Sequence, residues 1–229
     1  MKFGIIAAMK IEADKIDSLL TDARKEICGG IEYTLGKLGK HDVVCAVCGI
    51  GKVFAAMCAE AMIVKFSPDV IINTGVGGTL TKELGVGDVA ISSAVVQHDM
   101  DTSAIGDPVG LISGINVIEI PAGRGFSSRI ENIAAGLAIK TKIGVIASGD
   151  RFVADRETKD YIIKNFGAVA CEMEGGAVGQ VCYVNKIPFV VIRAISDDAE
   201  EGACGDYPAF AASAAEKSAK LVVELIKTS

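Results

Sequence analysis

Short apolar runs alternate along the chain with segments in which apolar residues recur at helical spacing. This alternation, repeated over most of a chain, is typical of α/β proteins. Strands are predicted at 2–8, 31–38, 42–48, 68–73, 87–97 and 142–147, and helices at 9–20, 52–66, 127–138, 155–166 (with Asp155 as its cap) and 207–227. We therefore predict an α/β fold, a single-domain three-layer sandwich over residues 1–229 whose central mixed, twisted sheet is flanked by helices.

The stretch 168–197 departs from a plain core pattern. Two apolar runs, starting at 168 and 188, both end in polar residues, and a small-residue segment at 175–182 between them suits a buried helix. This is a β-α-β pattern, which predicts polar side chains at the carboxyl ends of parallel strands, where ligands bind. Five polar residues stand at these ends. A position at a solvated strand end or a helix cap would explain any one of them, but it explains the presence of all five poorly. They are Glu172, Glu174, Arg193, Ser196 and Asp197.

Two glycine-rich segments follow predicted strands. The segment 49–52 resembles a phosphate-binding loop superficially, but Ala46 stands where the first Gly is required and Val53 where Ser or Thr is required. What remains is a tight turn that lets a ligand approach the backbone. The segment 74–78 is interpreted as a second turn. It either presents backbone N–H groups to a ligand or is needed only for packing.

Composition narrows the function classes. Half of the residues are hydrophobic, which fits a compact enzyme with a buried sheet, and the net charge of −6 argues against a nucleic-acid partner. No run approaches the roughly 18 uncharged apolar residues of a membrane span. The chain starts directly with a strand-like run and lacks a signal-peptide layout, so we expect a cytoplasmic protein with no membrane partner.

Seven cysteines, an odd number scattered through apolar runs, are interpreted as reduced core thiols. Cys45 and Cys48 are three apart in a predicted strand and point to opposite faces, which argues against a redox or zinc pair. Because the chain has only two histidines, a His-rich metal site is not expected either. We predict no metal and no cofactor.

The residues that gather at the predicted strand ends suit cleavage of a glycosidic bond. This reaction needs one acid to protonate the leaving group and one base to activate water. A ribose is held by a carboxylate that accepts from two hydroxyls, and a purine by stacking and one hydrogen-bonding edge. The candidate segments are Glu12, 49–51, 75–78, 148–152, 172–174 and 193–197.

At this point the sequence resembles the family of 5′-methylthioadenosine/S-adenosylhomocysteine nucleosidases, within the nucleoside phosphorylase superfamily. The matching pieces cover nearly the whole chain in the family's order, and jointly they are highly specific although each alone is weak. They are 4–6 with Glu12, 48–52, 68–75, 86–88, 98–99, 148–150, 172–174 and 193–197.

The resemblance implies hydrolysis of the N-glycosidic bond of 5′-substituted adenosines, with water as co-substrate and release of adenine. It implies that Glu12 activates the water and that Asp197 protonates purine N7. Glu174 would bind the 2′ and 3′ hydroxyls, Met173 would pack on the sugar, and Arg193 and Ser196 would orient the carboxylates and water. Phe152 would stack on adenine, and the Val153 backbone would bind its edge. Further substrate contacts are implied for Met9, Ile50, Val76, Gly78, Glu172 and Tyr207.

Several positions depart from the family pattern, and they concern the 5′ group. Val76 stands in place of a common Ser, and Tyr207 replaces a Phe in a loop over the 5′ pocket. By resemblance, Thr102, Ile105 and Asp107 reach a neighbouring subunit's pocket, so we predict a homodimer; Ile105 and Asp107 replace aromatic residues there. Methylthioadenosine, S-adenosylhomocysteine, 5′-deoxyadenosine and aminodeoxyfutalosine all remain open as substrates.

Two other functions compete with this prediction. A purine nucleoside phosphorylase would need an arginine clamp for phosphate, and the chain has no Arg between Lys25 and Gly123, where those ligands would come from. Asp197 also fits an amino-purine better than an oxo-purine. A non-catalytic nucleoside-binding domain would have no need of a water-activating base, which argues against that class.

Overall fold

The computed structural model describes residues 1–200 and 203–229. Every predicted helix and strand is present, and two strands, at 21–28 and 120–121, were not predicted. The strands are β1 Lys2–Ala7, β2 Thr21–Cys28, β3 Ile31–Leu38, β4 His41–Val47, β5 Val70–Thr79, β6 Val89–Gln97, β7 Ile120–Pro121, β8 Thr141–Ser148, β9 Ala170–Glu172 and β10 Phe189–Asp197. The helices are α1 Lys10–Asp17, α2 Lys52–Phe66, α3 Arg124–Gly136, α4 Arg156–Phe166, α5 Gly175–Asn185 and α6 Ala203–Lys227, with a 3₁₀ turn at Ser103–Ile105.

All the strands belong to one mixed sheet, in the order β10-β6-β8-β9-β5-β1-β4-β3-β2, with β7 beside β6. The strand β10 also pairs with β5, so five of the strands close into a ring. Every residue of β5 and β10 is buried, which explains their long apolar runs. The predicted mixed sheet flanked by helices is confirmed, and its closure is a feature that the apolar pattern does not indicate.

Helices cover both faces of the sheet. The helices α1, α3 and α6 pack on one side around Ile16, Ile130 and Leu225, and α2 and α5 pack on the other around Met62 and Val178. The small residues predicted to form a buried helix at 175–182 form α5, which is longer than predicted. A Cβ on Gly179 would lie 2.5 Å from Val95 Cγ2, so the small residues are there because the helix lies against the sheet. Among the described residues no helix has the length and apolarity required to cross a membrane.

The predicted β-α-β unit at 168–197 is wrong in its strand directions. The short strand β9 is antiparallel to β5, whereas β10 is parallel to β5, so β9 and β10 run in opposite directions. Apolar patterns specify which residues form a strand but not its partner, and three residues in β9 carry little information about pairing.

The glycine-rich segment 74–78 is also corrected: it is not a turn but the second half of β5. Tyr207 lies in helix α6, in agreement with the helix predicted at 207–227 and not with the loop that the resemblance implied. The predicted cap of α4 is confirmed, because the Asp155 side chain accepts from the Thr158 amide at 2.8 Å.

Candidate active site

Asp197 ends β10 at an irregularity in the sheet. The pairing register of β10 with β5 shifts between Ile195 and Asp197, the signature of a β-bulge. Successive side chains in a regular strand point to opposite faces, but here Ser196 Oγ donates to Asp197 Oδ2 at 2.8 Å. Asp197 Oδ1 accepts from the Ala199 amide at 3.0 Å. Burial raises the pKa of the Asp197 carboxyl above its ordinary value, although these two hydrogen bonds oppose the rise.

Glu12 lies in the first turn of α1, just beyond β1, and is 3% exposed. Its carboxylate is fixed by three backbone amides: Oε2 accepts from Ala8 at 3.0 Å and Met9 at 2.9 Å, and Oε1 accepts from Val76 at 3.1 Å. Burial raises the pKa of Glu12, against the positive charge of Arg193 and these hydrogen bonds. A buried carboxylate of raised pKa is a stronger base than an exposed one and is suited to accept a proton.

The glycines of β5 provide space for both carboxylates. A Cβ on Gly75 would lie 2.5 Å from Glu12 Oε1, and a Cβ on Gly78 would lie 2.7 Å from Asp197 Oδ1. The Val76 amide, between these glycines, donates to Glu12. The segment is therefore glycine-rich because two carboxylates pack against its backbone. This supports the packing interpretation, and the Val76 amide donates to a side chain of the protein, not to a ligand.

Arg193 is the cationic centre of a buried acidic cluster. Its guanidinium pairs with Glu172, lies 3.6 Å from Glu174 Oε2 and donates to Asn73 Oδ1 at 2.6 Å. Glu172 also accepts from the Ser148 hydroxyl and from the amides of Glu174 and Gly175. Because Glu12, Glu172 and Glu174 surround one guanidinium, they outnumber the positive charge within the cluster.

Glu174 is the member of this cluster that contacts the turn before α2. It precedes α5, and its Oε1 accepts from the Gly51 amide at 2.8 Å. Burial and the negative charge of Glu172 raise the pKa of Glu174 to about 7, against the positive charge of Arg193. The turn at 49–52 therefore contributes a backbone donor to a carboxylate, and the structure gives it no phosphate-loop geometry.

A cavity of about 410 Å³ lies above these carboxylates. Nearly all of the predicted catalytic and substrate-contacting residues line it: Glu12, Asp197, Met9, Ile50, Val76, Gly78, Phe152, Val153, Glu172, Met173, Glu174, Ser196 and Tyr207. Within the described part of the chain, Arg193 is not in the lining; it lies behind it, 1% exposed, and contacts the substrate side only through Glu172 and Glu174.

Among the residues that the structure describes, five in the cavity wall were not predicted. Gly77, Arg151 and Cys171 lie within or beside segments already singled out, and Ala8 donates to Glu12, so the spacing could have indicated them. Cys204, at the start of α6, follows no apolar run or motif that would have indicated it. Arg151 Nη2 donates to Asp155 Oδ2 at 2.8 Å, so this guanidinium already has an acidic partner.

Aromatic side chains form the rim of the cavity. Phe152 is 41% exposed, and its ring centroid lies 5.6 Å from that of Tyr207 in an edge-to-face arrangement. The Tyr207 hydroxyl donates to Met9 Sδ at 3.1 Å, a weak acceptor. An exposed aromatic face above an acidic floor can stack on a planar ring while polar groups hold the ring edge and the attached sugar.

The residues predicted to reach a neighbouring subunit lie outside the lining of this cavity. Among the described residues, the cavity lining does not include Thr102, Ile105 or Asp107. Ile105 ends the 3₁₀ turn and is 82% exposed. The Thr102 hydroxyl donates to Asp107 Oδ2 at 2.8 Å, so the half-buried Asp107 has a partner within its own loop.

These features define a class of protein. The site combines two buried carboxylates of raised pKa, a sugar-sized acidic cluster and an exposed aromatic ring, at the edge of a mixed α/β sheet. The family model of the Phosphorylase superfamily matches residues 2–227.

Relatives narrow the class further. The 5′-methylthioadenosine/S-adenosylhomocysteine nucleosidase of Shewanella sp. (strain W3-18-1) is 38% identical over 228 residues, 99% of each chain. An aspartate-to-asparagine variant of the Helicobacter pylori nucleosidase, solved with 5′-methylthioadenosine in the active site, has a TM-score of 0.96 at 34% identity and covers 100% of this chain and 99% of that one. A native futalosine hydrolase structure from Helicobacter pylori strain 26695 has the same TM-score and identity, covering 100% and 98%. The chain belongs to the Phosphorylase superfamily and, within it, to the family of 5′-methylthioadenosine/S-adenosylhomocysteine nucleosidases.

Proposed function

We propose that this protein hydrolyses the N-glycosidic bond of 5′-substituted adenosines, releasing adenine and a 5-substituted ribose. The observation that carries the proposal is the pair Glu12 and Asp197. Both are buried in one cavity, and burial raises the pKa of both. A base that can accept a proton from water and an acid that can protonate a leaving group are the two functions this reaction requires.

The proposed acid is Asp197. In its protonated form, favoured by the raised pKa, it donates to N7 of the purine as the bond from N9 to the sugar breaks. The Ser196 hydroxyl and Ala199 amide fix the carboxyl's orientation. Protonation of the ring neutralises the negative charge that develops on the departing base, which lowers the barrier.

The proposed base is Glu12. Its ionised carboxylate takes a proton from the attacking water, and three amides keep it from rotating away. The sugar carries positive charge in the transition state. The excess of carboxylates over guanidinium in the cluster around Arg193 stabilises that charge.

The remaining roles concern binding. Phe152 stacks on adenine, and the Val153 backbone binds its edge. Glu174 accepts from the 2′ and 3′ hydroxyls, and Met173 packs on the sugar. Arg193 acts through Glu172 and Glu174, which it contacts directly. Met9, Ile50, Val76, Gly78 and Tyr207 complete the walls of the pocket.

A second candidate concerns the 5′ group. The futalosine hydrolase of Helicobacter pylori is as similar in structure as the methylthioadenosine-bound nucleosidase, so aminodeoxyfutalosine joins the proposed substrates. Purified protein should be supplied with methylthioadenosine, S-adenosylhomocysteine, 5′-deoxyadenosine and aminodeoxyfutalosine, and adenine release measured for each. If none of the four releases adenine, the protein is a non-catalytic binding domain and the proposed function is wrong.

Hydrolysis rather than phosphorolysis is supported by the arginines of the site. Arg151 in the cavity wall is paired with Asp155, and Arg193 is held by Glu172 and Glu174. Among the described residues, the cavity lining contains one arginine, Arg151, and no second guanidinium that could form a phosphate clamp with it. Adenine release should therefore be unchanged in phosphate-free buffer, with free 5-substituted ribose as product. A sugar 1-phosphate as the main product would identify a phosphorylase.

We also infer a homodimer. Exposed apolar side chains cover the outer faces of α2 and α5, and Ile105 projects from the loop that would complete a neighbour's pocket. Val53 is 69% exposed, Phe54 53% and Val184 58%. Light scattering at assay concentration tests the inference, and a fully active monomer would refute it. We place the enzyme in the cytoplasm, supported by its seven free thiols.

A further inference from the structure

Three charged residues outside the cavity lining form a closed ring of hydrogen bonds. Lys52 Nζ donates to Asp99 Oδ1 at 2.6 Å, and the Asp150 amide donates to Asp99 Oδ2 at 2.9 Å. The Lys52 amide donates to Asp150 Oδ1 at 2.7 Å, which closes the circuit. The mechanism above uses none of these residues. We refer to them as the Lys52–Asp99–Asp150 ring.

The ring fixes the start of α2. Gly51 precedes this helix and offers no side chain to cap it, so the first amides of the helix need acceptors from elsewhere. Asp150 accepts from the Lys52 amide, and Glu174 accepts from the Gly51 amide at 2.8 Å. The adjacent amides of Lys52 and Gly51 therefore bind two carboxylates. One is Asp150, which belongs to the ring, and the other is Glu174, which faces the proposed ribose.

The geometry at Gly51 leaves little freedom. Its φ is 101°, which favours glycine, and a Cβ there would lie 3.0 Å from Asp150 Oδ1. The turn is also attached to the end of β1, because the Cys48 and Gly49 amides donate to the carbonyls of Ala7 and Ala8. Because the Gly51 and Lys52 amides belong to consecutive peptide units of this turn, holding the Lys52 amide on Asp150 restricts the direction of the Gly51 N–H.

Charge pairing with Lys52 favours the ionised form of Asp99. Burial alone would raise the pKa of Asp99, but the hydrogen bonds from Lys52 and Asp150, together with the Lys52 charge, hold that pKa below its ordinary value. Gln97 Oε1 also accepts from Lys52 Nζ, at 3.2 Å, which links the ring to the end of β6. The ring thus joins the ends of β6 and β8 to the start of α2.

We propose that the Lys52–Asp99–Asp150 ring is a positioning device for Glu174: it aims the Gly51 amide, and through that amide it fixes the carboxylate that binds the ribose hydroxyls. The proposal rests on the function proposed above. It assigns no contact with substrate to the ring, which acts only through Gly51. The predicted consequence is selectivity for the ribose hydroxyls, since a displaced Glu174 loses affinity for those hydroxyls and not for adenine.

The test compares 5′-methylthioadenosine with its 2′-deoxy analogue in Asp150→Ala and Asp99→Asn. Asp150→Ala removes the acceptor for the Lys52 amide. In Asp99→Asn the side-chain NH₂ group faces one of the two donors that Asp99 binds, Lys52 Nζ or the Asp150 amide. The substitution also leaves Lys52 without a negatively charged partner. We expect kcat/KM for the ribonucleoside to fall about tenfold, mainly through KM, and for the deoxy analogue about twofold or less, the scale of a small misplacement.

Matched variants separate positioning from general damage. Asp150→Asn keeps an oxygen acceptor and should retain most of the ribose preference. Glu83→Gln alters an exposed pair with Lys142 and should change neither substrate. Asp150→Ala combined with Glu174→Gln should lose no more ribose preference than Glu174→Gln alone, because both changes act on one interaction. An equal loss on both substrates in Asp150→Ala and Asp99→Asn would overturn the proposal.

Failure of the proposed function has a different signature. If the wild-type protein releases no adenine, calorimetry with the same two nucleosides still measures their affinities. A ribose preference in binding that is lost in Asp150→Ala and Asp99→Asn would support the ring without catalysis. A preference that both variants keep would overturn it.

Discussion

The floor and the rim of the cavity are built in opposite ways. The floor, formed by Glu12, Glu174 and Asp197 with Arg193 behind them, is at most 6% exposed, and each of these carboxylates accepts hydrogen bonds from backbone amides. At the rim, Ile50 is 55% exposed and Phe152 41%. A rigid, buried floor is suited to chemistry common to all 5′-substituted adenosines. An exposed rim, which a second copy would complete, is suited to selecting among them.

The largest effects should come from removing the proton donor or acceptor in the floor. Asp197→Asn and Glu12→Gln should each lower the rate of adenine release by roughly two to four decades, the scale of general acid–base catalysis. Both variants should fold, because each keeps the shape of its side chain. Asp160→Asn is the control, since Asp160 is an exposed aspartate on α4. Near-native turnover in either variant would contradict the role assigned to that residue.

The next largest effect should come from the glycines beneath the floor. Gly75→Ala should displace Glu12, and Gly78→Ala should displace Asp197, because the added Cβ would lie within 3 Å of each carboxylate oxygen. We expect each to lower kcat/KM by about tenfold to a hundredfold. Gly125→Ala, at a helical position with open space around it, should have no such effect.

Stability measurements separate displacement from unfolding in these glycine variants. In Gly75→Ala the strain should disappear when Glu12→Ala removes the carboxylate, so the double variant should melt at a higher temperature than Gly75→Ala alone. Equal melting temperatures would place the strain in the backbone of β5 instead.

The floor was largely predictable from the sequence, and the reasons are local. Glu172, Glu174 and Asp197 interrupt or end apolar runs, which indicates polar groups at strand ends. The bulge that turns Asp197 toward Ser196 was not predictable, because nothing in the run 189–197 marks the change of register. The closed sheet and the opposite directions of β9 and β10 depend on strand pairing, which apolar periodicity does not encode.

The rim and the Lys52–Asp99–Asp150 ring were less predictable for a related reason. Lys52, Asp99 and Asp150 are far apart in the chain, and each alone resembles an ordinary solvated charge. Only the fold brings together the start of α2 and the ends of β6 and β8. Ile105 could be singled out as an apolar residue in a Gly/Pro-rich loop, but a single chain cannot specify which surface it contacts.

A smaller effect concerns the stability of the floor. The pKa of Glu174 is about 7 in the folded protein and about 4.5 when unperturbed, so between these values the folded state holds a proton that the unfolded state has released. The contribution of protonated Glu174 to the free energy of unfolding is therefore complete below about pH 4.5 and is lost as the pH rises through 7. Glu174→Gln mimics the protonated form. Between pH 5 and pH 8, the melting temperature of this variant should fall by about 5 °C less than that of the wild type.

The control for this measurement is Glu83→Gln, at an exposed carboxylate whose replacement should leave the pH dependence unchanged. A profile for Glu174→Gln parallel to that of the wild type would mean that another group, such as Glu12 or Asp197, dominates the titration.

The smallest expected effect lies outside the cavity lining, at Asp107. A carboxylate supplies no apolar contact for a methylthio group and is costly to bury beside one without a partner. In this chain the Asp107 carboxylate accepts from the Thr102 hydroxyl and stays partly exposed. It can therefore face the cationic or polar 5′ tail of a substrate that is bound in a neighbouring subunit. An exposed charge pair contributes only about 0–1 kcal/mol, so the effect on relative kcat/KM is at most about fivefold.

We expect Asp107→Tyr to shift preference toward methylthioadenosine and away from S-adenosylhomocysteine, and more so at low salt. Both substrates should be measured side by side at low and high salt, with Asp101→Asn as the control at an exposed carboxylate of the same loop. If the ratio of the two kcat/KM values is unchanged at both salts, Asp107 contributes nothing to specificity, and the rim selects substrates through its apolar residues alone.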